Sequence, residues 1–445
     1  MTAVRFDDSE RVLSRAAVDD LLRLLESKSW MLEEWLTAAT SQSYRAPDDV
    51  VPHLLDAAMT DRRHRARLLA LAGAHGQQLA AHKPEWAILC TGSGADHDAW
   101  RHGTHTERLE WLTVARTLDP VDAVRHLERE WDAETGEHRA DFLTALNLGT
   151  GPADENLLER ALDDSVKAVR ERAVQLLRRL PNSQFASRMA DRARTWIRVE
   201  TKPLRKRLVI RIPGSLDSSA RRDGIEDVHF KNKGIRAWWL RMVVAATPLS
   251  VWEDMTGSAA AALEMPIEQR WRSVMLEAWR GATVSQRNGG WAEAFLAREG
   301  RQLSRRIASL VPRRTLDDYV SSGSADRYLL GVDGLALLEG LGHPWPLRVA
   351  RRVVAQLEQV AARQARSGRP LGAFSPQNHH TVLRSAETHF PLSAAGLLTE
   401  AAHGAADSDW QNAFASAASA IERRRASLSN LGIAGTDVRR AVSPR

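Results

Sequence analysis

Between Gly149 and Leu180 the chain reads as two short amphipathic helices joined by a tight polar turn. Gly149, Gly151 and Pro152 stop one helix and start the next, with proline in the first turn. Leu157, Leu158, Ala161 and Leu162 form one apolar face, and Asp163, Asp164 and Ser165 offer N-caps for the second helix. Val166, Val169, Ala173, Leu176, Leu177 and Leu180 then fall on one stripe at helical spacing, which Pro181 closes. Two helices this short cannot bury their faces by themselves, so neighbours must stack on them.

The neighbours carry the same punctuation. Asp119 caps and Pro120 opens a helix with Val121, Val124, Leu127 and Trp131 on one face; Leu109, Leu112, Ala115 and Leu118 mark the helix before it. Thr247–Pro248 repeats the device after a face of Ile235, Trp238, Trp239, Met242, Val243 and Ala246, and Pro266 is expected to open a helix carrying Ile267, Trp271, Val274, Met275 and Ala278. Pro84, Pro120, Pro152 and Pro181 recur at a rhythm close to that of helix-pair repeats. With 43% hydrophobic residues there is ample apolar surface to bury, and three Tyr and eight Phe beside 15 Trp disfavour an all-β fold.

The expected architecture is an all-α fold, an α-solenoid of stacked helix pairs. A short β-hairpin or loop insertion interrupts it near 196–234, where Leu208–Ile210 reads as a strand, Pro213–Ser215 as a turn and Val228–Phe230 as the candidate second strand. Helical repeats are expected over 1–195 and 235–428, and a disordered tail over 429–445. No apolar core of a signal peptide survives the charges between Met1 and Ala17, and no run approaches the ~20 apolar residues of a membrane span. The single cysteine, Cys90, excludes an intrachain disulfide and suits a cytoplasmic protein with no membrane partner.

The segment Leu162–Leu180 resembles a HEAT repeat, through an Asp after the first helix followed by Val169-Arg170, Ala173 and Leu176-Leu177. The resemblance implies an ion pair between adjacent turns, Asp163 or Asp164 with Arg170. The whole chain is similar to an uncharacterised bacterial family of HEAT-like proteins, through His75-Gly76-Gln77-Gln78-Leu79-Ala80-Ala81, Pro84-Glu85-Trp86, Glu159–Asp164, Leu177–Pro181 and Trp291-Ala292-Glu293-Ala294. That family is often encoded beside MoxR-type AAA+ ATPases and von Willebrand factor A-domain proteins. The resemblance thus implies a shared complex and no activity, cofactor or catalytic residue.

Motifs for chemistry are thin. No Gly-Lys pair exists to build a phosphate-binding loop, and no His-Glu-x-x-His helix occurs. Cys90-Thr91-Gly92-Ser93-Gly94 lacks the Gly-x-Ser-x-Gly spacing of a nucleophile elbow. Cys90, His97, His102 and His105 contain zinc-type ligands, as do His379, His380 and His389, but both groups read more simply as solvated histidines, and no metal is expected. Asp191 with Glu200-Thr201-Lys202 has the residue types of a nuclease magnesium site without the sheet such enzymes need.

Charge is the informative feature. The net charge is +6, and Arg178–Arg241 carries 17 basic against six acidic residues, so the segment is +11 and the remainder −5. Arg205, Lys206, Arg207 and Arg211 flank the expected strand, and Arg221, Arg222, Lys231 and Lys233 follow the turn. These eight are the candidate residues for an anionic partner. A non-enzymatic scaffold that docks a protein is the leading expectation. The alternative is nucleic-acid binding, including a DNA glycosylase-like enzyme, with Trp196, Trp238 and Trp239 stacking on bases.

Overall fold

Caps and buried stripes explain where the helices lie. The computed structural model describes residues 11–61, 63–89, 98–202, 205–226, 234–367 and 373–432, and among them are 24 α-helices and two two-stranded sheets, an all-α fold. Thr104 and Glu107 close a capping box on helix His105–Leu118, and Asp119 accepts from the amides of Val121 and Asp122 at the start of Pro120–Glu130. The diagnostic pair is Glu155–Ala161 and Lys167–Leu177, and Leu157, Leu158, Ala161, Leu162, Val169, Ala173, Leu176 and Leu177 are all buried. No described helix is long and apolar enough to cross a membrane.

The chain divides into two compact units. One combines Met1–Cys90 with Arg313–Arg445, and the other is Thr91–Pro312. In the first, β1 (Arg11–Val12) pairs in parallel with β2 (Tyr44–Arg45). The chain's ends are knitted there: Tyr44 Oη donates to the Leu431 carbonyl at 2.9 Å, and Asn430 Nδ2 donates to Asp20 Oδ2 at 2.6 Å. In the second, Trp252, Trp279 and Trp291 are fully buried with successive ring centroids 5.7 and 5.6 Å apart. Four core tryptophans find an acceptor for the indole N–H, Trp291 in Glu253, Trp100 in Glu130, Trp86 in Asp56 and Trp410 in the Phe374 carbonyl, whereas Trp35, Trp252, Trp279 and Trp345 are packed as apolar wedges with the N–H unbonded among the described residues.

Four local expectations are corrected. The helix after Asp164 starts at Lys167 behind Val166 with no side-chain cap, and Asp164 Oδ1 accepts instead from Val166 N, ahead of the helix. Arg170 donates to the Asp164 and Ser165 carbonyls, while the Asp164 carboxylate pairs with Arg139 and Asp163 pairs with Arg222; the ion pairs reach across helices, not along one turn. Pro266 does not open a helix. The helix begins at Gln269, and the Pro266 carbonyl accepts from Leu208 N at 2.9 Å. Thr247 likewise ends a helix, and Gln286 caps the next by accepting from Leu249 N.

The insertion contains a hairpin, β3 (Ile197–Lys202) antiparallel to β4 (Arg205–Ile210). Leu208–Ile210 is a strand as expected, but its partner is the segment just before it; Val228–Phe230 lies outside the described residues. The expected tail over 429–445 lies outside them from 433 onward, Ser429 ending the last helix.

Candidate functional site

The hairpin register sorts its charges. Ile197 pairs with Ile210 and Val199 with Leu208, and with Ile197 and Leu208 buried this face belongs to the core. The alternate positions put Arg198 opposite Val209, Glu200 opposite Arg207 and Lys202 opposite Arg205. Arg198, Lys206, Arg207 and Arg211 are exposed. Arg207 is spoken for by an ion pair with Glu200 across the strands. Arg198, Lys206 and Arg211 have no carboxylate partner among the described residues. Arg198 escaped the sequence reading; its alternation with Ile197 and Val199 was the available signal.

The basic residues after the turn behave differently. Arg221 and Arg222 end the short helix Ser218–Arg222. Arg222 pairs with Asp163 at 2.7 Å and Glu159 at 3.2 Å and donates to the Glu159 carbonyl at 3.0 Å. The Asp163 hydrogen bond raises the Arg222 pKa and outweighs its partial burial. Behind it, Asp223 is buried between Arg188 at 2.7 Å and Arg192 at 2.6 Å, and Arg188 also reaches Glu159 at 3.0 Å. This network fastens the insertion to helices Glu155–Ala161 and Gln184–Trp196, so Arg222 is a tether and not a free cation. Lys231 and Lys233 lie outside the described residues.

Gly224 holds the tether's geometry. Its φ is +78°, and a Cβ there would stand 2.8 Å from Val174 Cγ2. Gly224→Ala is expected to lower stability by about 2 kcal/mol in urea unfolding, from left-handed backbone strain together with the clash.

The other candidates are dispersed. The His105 ring stacks on His138 at 3.8 Å, and its Nε2 lies 3.2 Å from Asp141; Cys90 and His97 lie outside the described residues. His379 and His389 sit at opposite ends of helix His380–His389, each with its pKa lowered first by burial, and His389 packs against Trp345. Asp191 pairs with Arg194 and Glu200 with Arg207. Among the described residues no group of three or more His, Cys, Asp and Glu is placed to hold a metal ion. Trp196 and Trp239 are buried in the core, while Trp238 is half-buried beside Arg241.

A family model described as "Family of unknown function (DUF5691)" matches residues 3–431. The chain belongs to this family. The match to DUF5691 runs through both compact units and spans the hairpin. No curated protein and no solved structure matches the chain.

Proposed function

We propose that this chain is a non-enzymatic cytoplasmic adaptor, built of HEAT-like helix pairs, that docks an acidic protein surface on its basic hairpin. The observation that carries the reading is the contrast within one basic segment. Arg222 is consumed by Asp163 and Glu159, whereas Arg198, Lys206 and Arg211 are exposed with no carboxylate partner among the described residues. Exposed cations of one sign on a short, core-anchored hairpin steer and orient an acidic partner. The partners that the family resemblance suggests are a MoxR-type AAA+ ATPase and a von Willebrand factor A-domain protein from the same genome.

The test is binding of those two purified proteins to the full chain and to the triple variant R198E/K206E/R211E. At 0.1 M salt the variant is expected to bind at least tenfold more weakly, and the wild-type affinity to fall as salt rises. Equal affinity of variant and wild type sinks the hairpin assignment. Binding of duplex DNA or of RNA at low salt, with neither protein bound, supports the nucleic-acid reading instead.

A further inference from the structure

Among the described residues, the two fully buried arginines are answered by oxygen. Arg116 is held by Asp154 and three backbone carbonyls, Arg424 by Glu34 and two. Arg178, at the end of helix Lys167–Leu177, breaks that pattern. Its guanidinium is largely but not wholly buried, and its Nε is sealed from solvent with no hydrogen-bond partner among the described residues. Its one acceptor among the described residues is a thioether: Nη2 donates to Met242 Sδ at 3.3 Å. Burial, then the nearby charge of Arg241, pulls its pKa down to about 10. Leaving a guanidinium in such surroundings without an anion is unfavourable.

The second cation comes from the far end of the same basic segment. Trp238, Arg241 and Met242 share one face of helix Ile235–Ala246, so Met242 meets Arg178 while Arg241 lies over the Trp238 ring at 5.7 Å. Arg241 is about 40% exposed and only loosely paired with Glu277, at 3.5 Å. Arg178 keeps some exposed surface, so the place is reachable. Among the described residues, two guanidinium groups against one carboxylate leave a surplus of a single positive charge. The flanking thioether and indole suit an anion on a hydrocarbon stem better than a hydrated inorganic ion.

We propose that Arg178 and Arg241 form a clamp for one carboxylate side chain of a docking protein. This rests on the docking reading above but uses different residues in the same unit. The test titrates the full chain with a hexaglutamate peptide and follows arginine Nε–Hε resonances by NMR, that of Arg178 being assigned by its loss in both R178M and R178K. The Arg178 resonance is expected to move on titration. R178M is expected to bind the peptide at least tenfold more weakly, with R178K recovering part of the loss because an ammonium cannot pair bidentately. In R198E/K206E/R211E the Arg178 resonance is expected to move as before. A stationary Arg178 resonance in the wild-type chain, a reading independent of whether any variant folds, overturns the clamp and leaves hairpin docking standing. So does R178M binding as wild type does. Movement with inorganic phosphate but not with the peptide overturns the carboxylate assignment.

Discussion

Arg424→Met is expected to lower the stability of the unit formed by the two chain ends by about 3–5 kcal/mol, read as a fall in the urea midpoint followed by circular dichroism. Arg424 is 1% exposed and donates to both Glu34 oxygens, at 2.8 and 2.9 Å, and to the carbonyls of Glu387 and Phe390. Glu34 is itself 7% exposed, so deleting the guanidinium leaves a buried carboxylate with only His343, at 3.0 Å, as a side-chain partner among the described residues. The paired substitution E34L/R424M removes both charges and is expected to recover most of the loss. If the double variant is no more stable than R424M, the cost lies in lost packing and not in the stranded charge.

The same pair sets an acid dependence. Burial by itself would raise the Glu34 pKa. Hydrogen bonds from His343 and Arg424, with their charge, outweigh it and hold the pKa at about 2, against an ordinary 4.5. A carboxylate whose folded pKa is depressed contributes in full above the unfolded value, and its contribution disappears as pH falls through the folded one. The unit should therefore lose about 3 kcal/mol between pH 4.5 and 2 from this group. In E34L/R424M that component should be gone, which unfolding curves at pH 5 and pH 3 would show.

Glu34 and Arg424 were invisible as a pair because 390 residues separate them, and a lone Glu in one amphipathic stretch looks like any solvated charge. What was legible was local. Leu157 through Leu180 reported a helix pair because the 3.6-residue stripe and the Gly–Pro punctuation are written in contiguous sequence. The hairpin was half legible. Leu208–Ile210 is an apolar run, but Ile197 and Val199 alternate with Arg198 and Glu200, and that half-buried pattern reads as a charge motif until the opposing strand is known. The candidate site failed for the same reason where it failed. Arg222 is one of eight similar cations in sequence, and only the fold brings Glu159 and Asp163 to it. Arg178 and Arg241 merely bounded a basic segment until two helices placed one beside the other.

Asp154→Ala is expected to destabilise the second unit by a comparable 3–5 kcal/mol. Arg116 and Asp154 are each 1% exposed, joined by two parallel bonds of 2.7 and 2.9 Å. The remaining Arg116 hydrogens reach the carbonyls of Pro120 at 2.7 Å, Leu148 at 2.9 Å and Gly149 at 2.9 Å. Asp154 Oδ2 also accepts from Gly151 N at 2.8 Å. One guanidinium thus fixes the turn between helices His105–Leu118 and Pro120–Glu130 to the turn ahead of Glu155–Ala161. Gly149 can aim its carbonyl there because it sits at φ +63°. Removing the carboxylate leaves a buried cation with carbonyls alone, so D154A should cost more than R116M/D154L, in which no charge is stranded. Hydrogen exchange locates the effect: amides of His105–Leu118 and Glu155–Ala161 should lose protection together in D154A, while those of Gln269–Ser285 should keep theirs. Uniform loss across all three helices would mean that the pair holds the whole unit and is not a local clamp between successive helix pairs.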